Sequence, residues 1–138
     1  GLPLIWPQMN VSFNKKRGTV RGMHFQLPPF EEPKIVRVTT GSIMDAVIDL
    51  RPKSSNFGRV DLIKLSANEH NALYIPTGFA HGFQTLENDT EVLYLMGTSF
   101  EPRAQSGIRW NDPAFDLTWP MEISVISDKD MAYPDFQK

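Results

Sequence analysis

The sequence predicts an all-β domain, an antiparallel barrel or sandwich of the jelly-roll kind, and three features predict it. Eleven prolines and nine glycines are scattered along the 138 residues. Proline breaks a helix interior and glycine weakens it, so no long helix fits between them. Short runs rich in Val, Ile, Leu and Tyr lie between these breaks, and turn residues separate them at regular spacing, as in sandwiches and barrels. In chain order, residues 34–40 (KIVRVTT) end at Gly41 and residues 43–50 (IMDAVIDL) end at Arg51-Pro52. The pair reads as a hairpin turning at Thr40-Gly41-Ser42. Residues 59–65, 72–75, 83–86 and 91–97 are the next strands, and helix is confined to short turns near the C-terminal end. No repeat, low-complexity tract or linker divides the chain, so residues 1–138 read as a single domain.

Composition removes several kinds of function. Fourteen Lys and Arg against sixteen Asp and Glu give a net charge of −2, which is wrong for a protein that neutralises nucleic-acid phosphates. No apolar run approaches the roughly 18 residues of a membrane helix. With no cysteine, disulfides, thiolate metal sites and thiol nucleophiles are excluded. Polar chemistry must come from three His, the carboxylates, Lys, Arg and Tyr. In residues 43–50 the alternation of faces puts Ile43, Asp45, Val47 and Asp49 on one side. The expectation is that both carboxylates lie on a solvated face. The alternative is a barrel interior, where each would need a cationic partner.

The densest polar cluster is Arg21-Gly22-Met23-His24-Phe25-Gln26, followed by Lys34 and Arg37. In an extended segment His24 and Gln26 share a side. An imidazole there could be a general base, a metal ligand or an ordinary polar residue. A jelly-roll metal site uses an H-x-H pair with a carboxylate and a further His, but the second position here is Gln26, a poor ligand. His24 with the distant His81 would supply only two imidazoles, so no metal site is expected. In the second cluster, residues 75–83 (IPTGFAHGF), a Pro-x-Gly turn and flanking aromatics make His81 partly buried. Tyr94 shares a strand face with Val92 and Met96 and by default is a packing residue. In the third cluster, residues 107–113 (GIRWNDP) and then Trp119-Pro120, turn chemistry anchoring the sheet is preferred over a ligand loop. Asp130, in Ser127-Asp128-Lys129-Asp130, reads as the start of a helix or turn.

Taken together, QMNVS from Gln8, RGMHFQ from Arg21, KIVRV from Lys34, MDAVIDLR from Met44, LSANEHNALYIPTGFAHGF from Leu65 and IRWNDP from Ile108 form an ordered series. The series resembles the dTDP-4-dehydrorhamnose 3,5-epimerase family. The resemblance implies a cupin-like jelly-roll barrel of antiparallel strands with short C-terminal helical turns. It also implies a cofactor-independent isomerase that epimerises a nucleotide-linked 4-keto-6-deoxy sugar at C3, C5 or both, in rhamnose-type deoxysugar synthesis for polysaccharide. By the same resemblance His24 falls on the catalytic base, Asp130 on its charge partner, Tyr94 on the general acid of the opposite face, and Lys34 beside the keto oxygen. His81 falls on the pocket histidine, and Gln8, Asn10, Arg21 and Gln26 fall among positions that bind substrate. Arg21, Lys34 and Lys129 are the cations placed for a diphosphate.

These residue types suit that chemistry. A carbon next to a ketone is inverted by removing its proton, holding the enolate and returning a proton to the other face. An imidazole can take the proton and a carboxylate stabilises the imidazolium, while a lysine can hold the oxyanion. Two departures stand out. The family carries roughly a few dozen residues before the Gln8 segment, with a D-x-R-G-x-F motif reaching substrate across a dimer, and this chain starts after it. It is therefore expected to be either a trimmed member or a short relative whose nucleotide site is built differently. Ser99-Phe100 stands where the family often has a Tyr pair, which bears on the carbon reprotonated or the sugar accepted. The expected partners are a nucleotide-diphosphate sugar and a second copy of the chain in a homodimer, with no nucleic acid and no membrane, in the cytoplasm. The rival readings are a non-catalytic nucleotide-sugar-binding protein and a metal-dependent cupin enzyme.

Overall fold

In the computed structural model, which describes residues 1–137, nine strands form two antiparallel sheets. They are β1 (Gln8–Asn14), β2 (Val20–Gln26), β3 (Lys34–Thr40), β4 (Ser42–Asp49), β5 (Val60–Ser66), β6 (Ala72–Ile75), β7 (Phe79–Thr85), β8 (Thr90–Met96) and β9 (Gln105–Gly107). One sheet runs β1-β8-β3-β6 and the other β5-β4-β7-β2-β9. Helix is limited to a 3-10 turn at Pro102–Ala104 and to α1 (Asp128–Met131), capped by Ser127, whose hydroxyl accepts from Asp130 N–H. The fold is the jelly roll that the spacing of short strands predicts.

Each sheet has a different inner and outer problem to solve. Between the sheets, Val36, Val38, Ile43, Val47, Leu65, Phe83 and Val92 close one end of the barrel, and their burial is the main stabilising term. The outer face of the five-stranded sheet is covered by the C-terminal part of the chain. There Met23, Ala46, Ile48 and Ala80 pack under Ile108 and Phe115, with Trp119 and Phe136 against them. Asp112 ties this cover down: Oδ1 accepts from Ala114 N–H at 2.8 Å and Oδ2 from Phe136 N–H at 2.7 Å. The third sequence cluster is thus turn chemistry.

The sequence reading needs three corrections. β1, β2 and β9 were not among its strands, and β7 begins at Phe79, four residues before the expected start. Asp45 and Asp49 are buried, not solvated. β4 is central, with β5 on one side and β7 on the other, so its inner face lies inside the barrel. Each carboxylate has the partner that burial demands. Asp49 accepts from Arg51 through both oxygens, at 2.9 and 2.7 Å, which holds its carboxyl well below the usual range despite the opposing effect of burial.

One close approach fixes the middle of the second sheet. Gly22 has φ +120°, a conformation open to glycine, and a Cβ there would lie 2.6 Å from Gly82 Cα and 2.8 Å from the His81 carbonyl oxygen. β2 and β7 therefore touch backbone to backbone, which brings His24 opposite His81 in register.

Candidate functional site

The open end of the barrel holds a polar cavity of about 190 Å³. Both sheets supply its walls. The register of the four-stranded sheet sets Gln8, Met96 and Lys34 in one row and Asn10 and Tyr94 in the next, all inward. From the facing sheet, β2 contributes Arg21 and His24, and β7 contributes His81. Glu32, Phe100 and Gln105 complete the rim.

Each imidazole is paired with a carboxylate. His24 Nε2 lies 2.6 Å from Asp130 Oδ1, with the histidine side chain 34% exposed and the aspartate 5%. Asp130 Oδ2 also accepts from Gly22 N–H at 3.1 Å. Burial works to raise the Asp130 carboxyl, but the hydrogen bond and charge of His24, with the Gly22 and Ser127 contacts, outweigh it and hold it below its ordinary value. As an ionised acceptor Asp130 receives the hydrogen bond of Nε2–H, which leaves Nδ1 as the ring nitrogen able to receive a proton. Tyr133 stands edge-on to His24 at 6.3 Å between ring centroids. Its hydroxyl is buried, and burial together with the Asp130 charge pushes its pKa up. The Tyr133 ring lies where a side chain on Gly107 would be, so residue 107 must lack one for the C-terminal segment to seat against His24.

Deeper in, His81 Nε2 lies 2.6 Å from Asp45 Oδ1, both fully enclosed. Burial pushes the Tyr94 hydroxyl up to about 12, against the smaller lowering effects of Ser12 and Arg21, so it is a protonated donor at neutral pH. Tyr94 and His24 come from opposite sheets and both line the cavity. Lys34 Nζ is 3.1 Å from Glu32 Oε1. Arg21 Nε donates to Asn14 Oδ1 at 2.6 Å, and Gln8 Oε1 accepts from Phe100 N–H at 2.7 Å.

Of the residues singled out from sequence, the structure brings together His24, Asp130, Tyr94, Lys34, His81, Gln8, Asn10 and Arg21. Gln26 and Lys129 are not among the residues that line this cavity. The Gln26 amide is taken up by the backbone, donating to the Phe30 carbonyl at 2.7 Å and accepting from Glu101 N–H at 2.7 Å, and so ties two loops together. Lys129 is exposed and donates to Gln105 Oε1 at the rim. The sequence reading missed three groups here. Asp45 was assigned to solvent, and Tyr133 carries no motif. Glu32 was legible only as the residue two before Lys34. Among the described residues, no three His, Cys, Asp or Glu side chains gather as a metal site requires. No described helix is long and apolar enough to cross a membrane.

Comparison with known proteins agrees with this geometry. The family model for dTDP-4-dehydrorhamnose 3,5-epimerase matches residues 1–138. The enzyme of that name from Sinorhizobium fredii is 41% identical over 128 residues, covering 92% of this chain and 66% of that protein. The crystal structure of the Bacillus anthracis enzyme with TDP and PPi bound superposes with a TM-score of 0.91 at 40% identity, covering 94% of this chain and 74% of that one. The Legionella pneumophila enzyme in complex with dTDP-4-keto-L-rhamnose gives a TM-score of 0.84 at 29% identity, covering 97% and 77%. The chain spans about two thirds of the length of the curated relatives it matches. By sequence, by fold and by the match along its whole length, this chain belongs to the dTDP-4-dehydrorhamnose 3,5-epimerase family.

Proposed function

We propose that the protein epimerises a dTDP-linked 4-keto-6-deoxy sugar next to its ketone, without a cofactor. The observation that carries this reading is one cavity lined by a carboxylate-paired imidazole from one sheet and by a protonated phenol and a lysine from the other. His24 removes the proton from the carbon beside the ketone and its electron pair moves onto the keto oxygen. The Asp130 carboxylate stabilises the imidazolium that forms. Lys34 holds the oxyanion, where preorganised charge in an enclosed site is most effective. Tyr94 then delivers its hydroxyl proton to the opposite face of the carbon, which inverts it. Arg21, Gln8 and Asn10, at the mouth, are placed for the nucleotide diphosphate, and the bound ligands named for the Bacillus anthracis and Legionella pneumophila relatives support that substrate class.

Heavy water tests this directly. Incubating the protein with dTDP-4-keto-6-deoxyglucose in deuterium oxide is expected to place deuterium at C3, C5 or both, read by NMR. Folded protein that leaves the sugar unlabelled would overturn the reading. Tyr94→Phe keeps the base, so it should retain exchange while net inversion falls about 100-fold.

A homodimer, acting in the cytoplasm, is part of the proposal. The outer face of the four-stranded sheet carries an apolar row, Met9, Leu95, Ile35 and Tyr74, beside Val11 and Leu93. Met9 is 65% and Val11 60% exposed, and β1 is an open edge. An uncovered apolar face on an open-edged sheet is an association surface. Replacing Met9 and Val11 together by glutamate is expected to convert a dimer to a monomer in sedimentation velocity. An unchanged sedimentation coefficient would place the interface elsewhere.

A further inference from the structure

Three buried side-chain atoms lack a hydrogen-bond partner among the described residues: Asp45 Oδ2, Tyr133 Oη and Glu32 Oε2. A buried carboxylate oxygen without a donor is costly, and such atoms call for an explanation. Asp45 lies behind His81 and Tyr133 beside His24, and neither is among the residues lining the polar cavity or its neighbour. Glu32 is. Its side chain is 9% exposed, its other oxygen is 3.1 Å from Lys34 Nζ, and it lines the polar cavity. A second cavity of about 600 Å³, lined largely by apolar residues such as Phe25, Leu50 and Phe79, adjoins it. Glu32 and Lys34 are the two residues common to both linings. The ion pair is therefore the partition between the two cavities, where a ligand seated among His24, His81 and Tyr94 would meet it.

A donor carried by the ligand can pair with this free oxygen. Lys34 beside it disfavours a cationic ligand group and leaves a neutral hydroxyl. Side by side, an ammonium and a carboxylate oxygen present a donor and an acceptor. The complementary ligand presents an acceptor and a donor side by side, and a carbonyl with a hydroxyl on the adjacent carbon is such a group. In a 4-keto-6-deoxy sugar only C3 offers it, because C5 carries the methyl group and the ring oxygen.

We propose that Glu32 determines substrate specificity by accepting a hydrogen bond from the 3-hydroxyl, while Lys34 holds the neighbouring keto oxygen. The pair reads the α-hydroxy ketone as a unit, and this rests on the epimerase reading above. A site built to bond a hydroxyl discriminates strongly against the ligand that lacks it, because the buried polar group is then left unpaired. Glu32 thus separates 3-hydroxy from 3-deoxy sugars of the same nucleotide.

The test compares dTDP-4-keto-6-deoxyglucose with its 3-deoxy counterpart on the wild type, Glu32→Gln and Glu32→Ala, following deuterium uptake. Glu32→Ala is expected to lower kcat/KM for the 3-hydroxy sugar about 30-fold and to leave that for the 3-deoxy sugar within about twofold. Glu32→Gln keeps a neutral acceptor and should fall between, and it carries the test if the alanine variant does not fold. Equal losses on both sugars would mean that Glu32 acts only through Lys34, and no loss would mean that it is idle. Either result overturns the proposal. If the wild type exchanges neither sugar, the epimerase reading fails. Calorimetric binding of the same two sugars to the wild type and Glu32→Gln then decides whether Glu32 reads the hydroxyl.

Discussion

His24→Ala is expected to lower solvent exchange and epimerisation together, by about 1,000-fold or more, because it removes the proposed base and leaves no second imidazole free. His81, the other histidine in the cavity, is locked to Asp45 behind the site. Exchange and product formation would both be followed by NMR in deuterium oxide, and a variant retaining a tenth of wild-type exchange would remove His24 from the mechanism. Asp130→Asn should cost about 100-fold, since the amide keeps a hydrogen bond but no longer stabilises the imidazolium. The same substitution has a pH signature. Asp130 titrates below its ordinary value in the folded protein. Its contribution to stability is therefore present above the unfolded carboxylate range and is lost as pH falls through the depressed folded value. The stability difference between wild type and Asp130→Asn should be largest near neutrality and shrink in acid, as read from urea midpoints across pH.

Gly22→Ala is expected to be the most damaging single methyl group in the chain. Its Cβ would fall 2.6 Å from Gly82 Cα, a backbone atom that cannot swing aside, and the residue would be held at φ +120°. Steric overlap with backbone and a strained dihedral each cost on the order of 1–3 kcal/mol. Together they predict a loss of about 3 kcal/mol or more, which is about 10 °C in melting temperature for a chain of this size. A variant melting within 2 °C of wild type, about 0.6 kcal/mol, would show that β2 and β7 can separate there. Activity should fall further than stability, because the same contact sets His24 opposite His81.

How legible each strand was follows from which of its faces is apolar. β3, β4, β5, β6 and β8 carry Val, Ile and Leu toward the core or on both faces, and their spacing announces them. β1 is inverted: Gln8, Asn10 and Ser12 point inward, and Met9, Val11 and Phe13 point out. Its interior is a polar cavity, so it does not read as a strand with a buried apolar face. β2 contains a glycine, an arginine and a histidine for the same reason. Asp49 was recoverable from sequence, since Arg51 stands two residues on. Asp45 was not, because its partner is 36 residues away and nothing local distinguishes a buried aspartate from an exposed one. His24, Lys34, Tyr94 and His81 stand out singly as polar residues in apolar strands, yet only the ordered series of motifs links them, and only the register shows them sharing one space. Glu32 sits in plain view before Pro33 and Lys34, but what distinguishes it is an oxygen without a partner, which a sequence does not display.

The carboxylate that serves His24 arrives 106 residues later in the chain, on a single turn of helix near its end. During synthesis all nine strands are made before that turn, so the imidazole is in the chain well before its counter-ion. The same holds for a molecule clipped by a protease between Ser127 and Asp130: the barrel would stand and the histidine would be bare. Completing the pocket thus requires the Asp130 segment to dock on β2 as well as the sheets to form.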